Sequence, residues 1–266
     1  MSKRETPPAD GKAGLPLSPE EALALALFVF LAGRGGAGKT LLLRWIVERA
    51  IAAGRLLVIA DGDRTNRSLP LFLDGVLTPN GADDATVWRW LEAIITRMVA
   101  DRFNLVLDLG GGDLVLKRIA LELALQSLLE ASGIAPVVLH LLSPELESLA
   151  YLAALEDNGL FAPERTALIL NEGLVPIGHG NDETVFAAVR EHKIFKAAIR
   201  RGAVPIVMPQ LKPAFEINAR HLSFADANAG KSKEGLPPLG VFDRQRTALW
   251  LVAMEKAFEP VAAWLP

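Results

Sequence analysis

Leu27-Phe28-Val29-Phe30-Leu31-Ala32, followed at once by Gly33-Arg34-Gly35-Gly36-Ala37-Gly38-Lys39-Thr40, is the stretch from which the rest of the chain is read. An apolar run without a charge passes into glycines, then Lys-Thr, then the helical-looking Leu41-Leu42-Leu43-Arg44-Trp45-Ile46-Val47. The spacing Gly-x-x-x-x-Gly-Lys-Thr is that of a phosphate-binding loop, and a strand before it with a helix after it is the context such a loop needs. Glycines let consecutive backbone N–H groups turn inward around phosphate oxygens. The helix that starts there directs its positive dipole end at them. In such a loop Lys39 reaches the β- and γ-phosphates and the Thr40 hydroxyl holds Mg²⁺. The stretch implies a nucleotide-binding α/β protein.

The chain's 266 residues suffice for one α/β domain or two small ones. Hydrophobic residues make up 51% of it, as the doubly buried strands of a parallel sheet require. No apolar run reaches the roughly 18 residues of a membrane span; the longest, Ala22 to Ala32, ends in the glycine loop. Met1 to Pro8 is polar, with no signal-peptide core before Leu23. Residues 1–20 read as a mobile tail ahead of a single domain over 21–266. With 28 basic and 31 acidic residues the net charge is −3, so the whole molecule is no polycation. Cysteine is absent. That fits a reducing cytoplasm and excludes disulfides, thiolate zinc sites and cysteine-held iron–sulfur clusters.

Downstream, strands and helices alternate. Thr40 to Ala53 reads as a helix ended by Gly54, and Arg55 to Ala60 as a buried strand ending in Asp61-Gly62-Asp63. Acidic residues at such a strand end face the ligand crevice of an open α/β sheet. Asp84 to Ala100 is a helix, and Phe103 to Asp108 a third strand followed by Leu109-Gly110-Gly111-Gly112-Asp113. That has the shape of a Walker B element with a glycine switch behind it. Leu114 to Ala131 reads as helix, Pro136 to Leu142 as strand, and Ser143-Pro144-Glu145 as a helix start. Arg165 to Leu170 is a strand ending in Asn171, Asp182 to Arg200 a helix, Val204 to Met208 a short strand, and the end from Arg244 a helix. The pattern predicts one mostly parallel β-sheet with helices on both faces. Asn228 to Pro238 reads as the least ordered internal stretch.

The loop resembles the deviant Walker A loop of the ParA/MinD family of ATPases, written Lys-Gly-Gly-x-Gly-Lys-Thr/Ser. Asp61-Gly62-Asp63 resembles that family's Asp-x-Asp, and Asp108 stands where its Walker B aspartate does. Ser143 to Leu149 is similar to the stretch after its next strand. Leu168-Ile169-Leu170-Asn171 resembles the strand ending in a base-contacting Asn, and Met208-Pro209 the late element beside the adenine. The resemblance spans residues 22 to 225 and implies a P-loop NTPase fold of the SIMIBI class. It also implies a cytoplasmic, ATP- and Mg²⁺-dependent homodimer in which two subunits sandwich two nucleotides. Gly35, Gly36, Ala37, Gly38, Lys39 and Thr40 then cradle phosphates, with the backbone at Gly110 to Gly112, Gly111 at its centre, sensing the γ-phosphate. Asp63 positions the attacking water; Thr40, Asp61 and Asp108 serve the metal; Asn171 and Pro209 flank the base. Asp61 is equally read as a turn residue. Arg34 replaces the family's first lysine, which crosses to the partner's nucleotide. It keeps the charge and adds a planar fork for phosphate, or else marks an altered arm of the mechanism. Guanine-binding relatives carry Asn-Lys-x-Asp; Asn171-Glu172-Gly173-Leu174 has no such Asp, which favours adenine.

Partner surfaces are less specific. Arg190, Lys193, Lys196 and Arg200 fall at three- and four-residue steps, with Arg201 beside them, so one helix face could meet DNA phosphates. A solvated face reads equally well. The apolar C-terminal segment Ala248 to Phe258 has only Lys256 for a basic face, so it reads as a packing helix rather than a membrane-surface one. The resemblance implies non-specific DNA or a DNA-bound adaptor as partner, association with nucleoid or plasmid, and a role in plasmid partition or transfer. Rival readings are a membrane-positioning switch of the MinD type and an ATP-dependent metabolic ligase on the same fold.

Overall fold

The computed structural model describes residues 25–64, 67–110, 115–156, 159–175, 182–232 and 235–266. The expected N-terminal tail, Gly111 and Gly112 lie outside them. Six strands form one sheet: β1 (Ala26–Ala32), β2 (Leu57–Asp61), β3 (Asn104–Asp108), β4 (Ile134–Leu142), β5 (Arg165–Asn171) and β6 (Val204–Met208). Their order is β2-β3-β1-β4-β5-β6, and every pairing is parallel. After β1 the chain crosses to the far edge, returns with β3, then reverses to lay β4, β5 and β6 on the other side. A reversal of that kind opens a crevice at the carboxyl ends of the central strands. Both neighbours of β1 are therefore on hand for whatever binds the loop behind Ala32.

Burial on both sides explains the uniformly apolar β1 and β4, each inaccessible along its whole length. On one face Val29, Leu31 and Val106 pack against α1 (Lys39–Ala52) through Leu42, Trp45 and Ile46. The same cluster takes in Phe224 of α10 (Phe224–Ala229) and Trp250, Met254 and Phe258 of α11 (Val241–Phe258); α9 (Ala214–Ala219) joins through Ile217. Opposite, Phe28, Phe30, Leu105 and Leu107 meet α2 (Asp84–Asp101), α3 (Val115–Leu123) and α4 (Leu125–Ala131). Leu168 and Leu170 meet α5 (Leu149–Glu156), α7 (Ala187–Glu191) and α8 (Lys193–Arg201), with α6 (Asp182–Val185) preceding them.

Three expected helices are broken. Ala124 takes φ 46, splitting Leu114–Ala131. Continuing the phase of the buried Leu116, Ile119 and Ala120 would have carried Leu123 inward; the break instead turns Leu125 and Leu129 to the core and leaves Leu123 exposed. His192 (φ −66, ψ 141) leaves helical geometry, and its Nδ1 accepts from Ile194 N at 3.3 Å, capping α8. With a second break at Phe186, the helix expected over Asp182 to Arg200 is three short pieces. After Ser143-Pro144-Glu145 the chain makes a 3₁₀ turn, Leu146–Ser148, before α5 begins. The C-terminal helix is a packing helix on its inner side, while Phe242, Leu249 and Val252 stand exposed on its outer side. No helix among the described residues is long and apolar enough to cross a membrane.

Candidate functional site

Between β1 and α1 the chain turns tightly, Ala37 N donating to Arg34 O at 3.2 Å. Gly38, the N-cap of α1, holds φ 94 and ψ 14, and a Cβ there would lie 2.5 Å from Asn171 Nδ2. Handedness and space both demand glycine. No side chain caps α1 and its first turn carries no acidic residue, so its orphan N–H groups and dipole are left for an anion.

Lys39 is buried, its Nζ donating to Gly33 O (3.1 Å) and Arg34 O (3.2 Å) at the base of the loop. Burial lowers its pKa, while Asp108 and Asp63 pull it back up. Asp108 ends β3, in register with Leu31 of β1 on one side and Asp61 of β2 on the other. Its Oδ2 accepts from Thr40 Oγ1 at 3.2 Å. Burial pushes its carboxyl up to about 7, against the pull of Lys39, and Asp61 raises it further. Asp61 is likewise raised by burial, although its carboxylate accepts from the amide N–H groups of Asp63 and Leu69.

Asp108 Oδ1 and Asp61 Oδ2 are both buried without a hydrogen-bond partner among the described residues. Two orphaned carboxylate oxygens and a hydroxyl beside a phosphate loop fit a hard cation such as Mg²⁺, which needs only one or two carboxylates when phosphates and water supply the rest. No group of three His, Cys, Asp or Glu able to hold a metal by itself occurs among the described residues. Half-buried Asp63 leans on the backbone of Gly110, where a Cβ would come within 3.1 Å of its Oδ1.

The cleft over the loop has a volume of about 540 Å³. Its walls are Gly35 to Leu41, Arg44 of α1, Asp63, then Ser68, Leu71 and Phe72 of the turn after β2, and Asn218 and His221. Asn171 and Pro209 are not among them. Asn171 sits under the loop, Nδ2 donating to Ala37 O (2.9 Å) and Oδ1 accepting from Gly173 N (2.9 Å). The carbonyl of Pro209 accepts from Trp250 Nε1 at 2.9 Å. Exposed Arg34 donates through Nη2 to Glu145 Oε2 at 3.1 Å, and Ser143 Oγ donates to the same oxygen.

The strand, the glycine cradle, the buried lysine and the Thr40–Asp108 contact now stand together at the carboxyl ends of a parallel sheet. This is a P-loop fold. No family model matches the chain, and no curated protein matches it. Among solved structures, the MinC:MinD cell division protein complex of Aquifex aeolicus is similar at 14% identity and TM-score 0.47 over 86% of this chain and 96% of that one. MinD of the same organism gives 15%, 0.43, 86% and 97%. Chloroplast FtsY of Physcomitrella patens gives 18% and 0.45 over 85% of this chain; the match spans 65% of FtsY, under two thirds of its length. The assignment of the P-loop fold rests on the site's own geometry.

The basic residues do not share one helix. The break at His192 puts Arg190 on α7, leaving Lys193, Lys196 and Arg200 exposed along α8, with Lys196 paired to Glu191. Arg201 is a structural tie, joined to Glu156, Thr166 Oγ1 (3.0 Å) and the carbonyls of Ala162 (3.2 Å) and Pro163 (2.9 Å). Arg44, Phe72, Asn218 and His221 were not singled out from the sequence. Arg44 and Glu48, a charged pair four residues apart in α1, were the available signal: Arg44 is buried and lowered to about 10, and half-buried Glu48 is raised to about 6, in both cases chiefly by burial.

Proposed function

We propose that the chain is a Mg-ATP-dependent dimerising switch. It binds DNA or a DNA-bound adaptor as the ATP-bridged dimer, releases it on hydrolysis, and works in plasmid partition or plasmid transfer. The observation that carries the reading is the orphaned pair Asp61 Oδ2 and Asp108 Oδ1 beside Thr40 and the uncapped start of α1. The amides of Gly35 to Thr40 take the phosphate oxygens. Lys39 exchanges its two carbonyl partners for the β- and γ-phosphates, and the low exposure of its ammonium strengthens that attraction. Mg²⁺, held by Thr40, Asp108 and Asp61, would compensate negative charge on the triphosphate. Asp63 orients the attacking water, and the mobile charge of Arg34 leaves Glu145 for the partner's nucleotide. Guanine-binding relatives carry an Asp at the fourth place of this segment; Asn171-Glu172-Gly173-Leu174 has none, so nothing there selects guanine over adenine. Lys193, Lys196 and Arg200 offer the exposed basic face for DNA backbone.

The test is molecular size with Mg²⁺ and either ADP or a non-hydrolysable ATP analogue. A dimer is expected with the analogue alone, and Arg34→Ala should weaken that dimer more than it weakens nucleotide binding. A monomer in both nucleotides would refute the switch.

A further inference from the structure

The cleft has a second half that the phosphate chemistry leaves unused. At its centre is Arg44, one turn along α1 from Thr40 and only 1% exposed. Its Cζ lies 3.6 Å from the ring centre of Phe72 and 4.6 Å from that of Phe224, a cation held between two aromatic faces. Nη2 donates to Leu222 O at 2.8 Å, and Nη1 to Asn218 Oδ1 at 2.7 Å. The second contact decides which way the amide of Asn218 faces. Arginine is a donor only, so the atom it meets must be the amide oxygen, and the NH₂ of this cleft-lining residue is left with no partner among the described residues. Next to it His221 meets Phe72 edge to face, 5.7 Å between ring centres at 80°. His221 is exposed and lines the cleft; its φ of 48 belongs to the turn that ends α9, where its N–H donates to Asn218 O and that of Leu222 to Ile217 O. An exposed ring and an amide held by a buried arginine together make a built wall.

Resting on the nucleotide reading above, we infer that Phe72, Asn218 and His221 form the base subsite. The triphosphate lies on the glycine loop, and the purine ring lies against His221 and Phe72 with a ring acceptor facing the Asn218 NH₂. A flat heteroaromatic ring with acceptor nitrogens meets the aromatic surface and the donor at once, whereas an aliphatic chain would leave the donor without a match. Arg44 is the positioning residue, since its guanidinium is engaged with Asn218, Leu222 and the two phenylalanine rings. The sites expected from sequence, Asn171 and Pro209, are engaged in holding the loop and α11.

The experiment compares binding of ATP with that of inorganic tripolyphosphate, both with Mg²⁺. His221→Gly removes the ring and suits the positive φ; Asn218→Asp keeps an acceptor for Arg44 and removes the donor. Each is expected to weaken ATP about tenfold, on the scale of one base–aromatic contact, while tripolyphosphate binding stays unchanged for His221→Gly. His221→Phe should restore ATP affinity. If both variants bind ATP as tightly as wild type, the base lies elsewhere and the phosphate site stands. If wild type binds neither ATP nor tripolyphosphate, the phosphate site itself fails, and the subsite falls with it.

Discussion

Replacing Asp108 by Asn should stabilise the nucleotide-free protein while disabling it. Asp108 is 2% exposed, and burial pushes its carboxyl from 3.8 to about 7. A folded-state pKa above the unfolded one means that its contribution is fully present below 3.8 and is lost as pH rises through about 7. At 1.36 kcal/mol per pH unit, carrying the charge at about pH 8 costs on the order of 4 kcal/mol, of which about 2 kcal/mol remains at about pH 5.5. Asparagine still offers an oxygen to Thr40 Oγ1, cannot ionise, and removes a buried charge next to Asp61, its register partner on β2. For a chain of this size the gain corresponds to a rise in Tm of several degrees, up to roughly 10 °C. Thermal unfolding by circular dichroism without nucleotide, at about pH 5.5, 7 and 8, reads it directly. The gap over wild type should widen with pH, and Mg-ATP should stabilise wild type more than the variant. A variant that melts lower at about pH 8, or a gap that ignores pH, would refute the account of Asp108 as a buried charge awaiting a cation.

Asp63→Ala should bind ATP but arrest in the triphosphate state; normal turnover would remove Asp63 as the water-orienting group. Asn171→Ala should cost about 2 kcal/mol in chemical denaturation, because Ala37 O loses a buried donor, and should weaken ADP and ATP alike. Equal affinities with unchanged stability would show that the loop holds its shape without that tie. His140 is fully enclosed in β4, neither ring nitrogen has a partner among the described residues, and burial holds its pKa at about 3. Since the unfolded chain titrates near 6.5, stability is complete above that value and is lost as pH falls between 6.5 and about 3. His140→Leu should therefore spare about 2 kcal/mol at about pH 5, read as a flatter acid limb than wild type; a parallel limb would refute it.

The glycine loop was legible because a phosphate cradle is made from consecutive backbone amides, so its chemistry is written in adjacent letters: Gly33 to Thr40 carry it whole. The apolar runs of β1, β3 and β4 were legible for a related reason, since strands buried on both faces are apolar nearly throughout, His140 in β4 being the one exception between their ends. Asp61 and Asp108 could be placed at strand ends, but only the register of β2 with β3 sets them opposite each other and leaves an oxygen of each without a partner. The breaks at Ala124 and His192 had no local signal, because both serve the aim of residues beyond them: Leu125 and Leu129 toward the sheet, Phe195 and Ala198 likewise.

Sequence alone determined the loop, the order of strand and helix around it, and therefore the phosphate end of the site. Tertiary structure decided the rest of the cleft. Phe72, Asn218 and His221 come from distant segments, and the direction of the Asn218 amide depends on an arginine 174 residues away in the chain. No periodicity or spacing encodes a contact of that kind, because it exists only once α1 and the chain after β6 pack on the same face of the sheet.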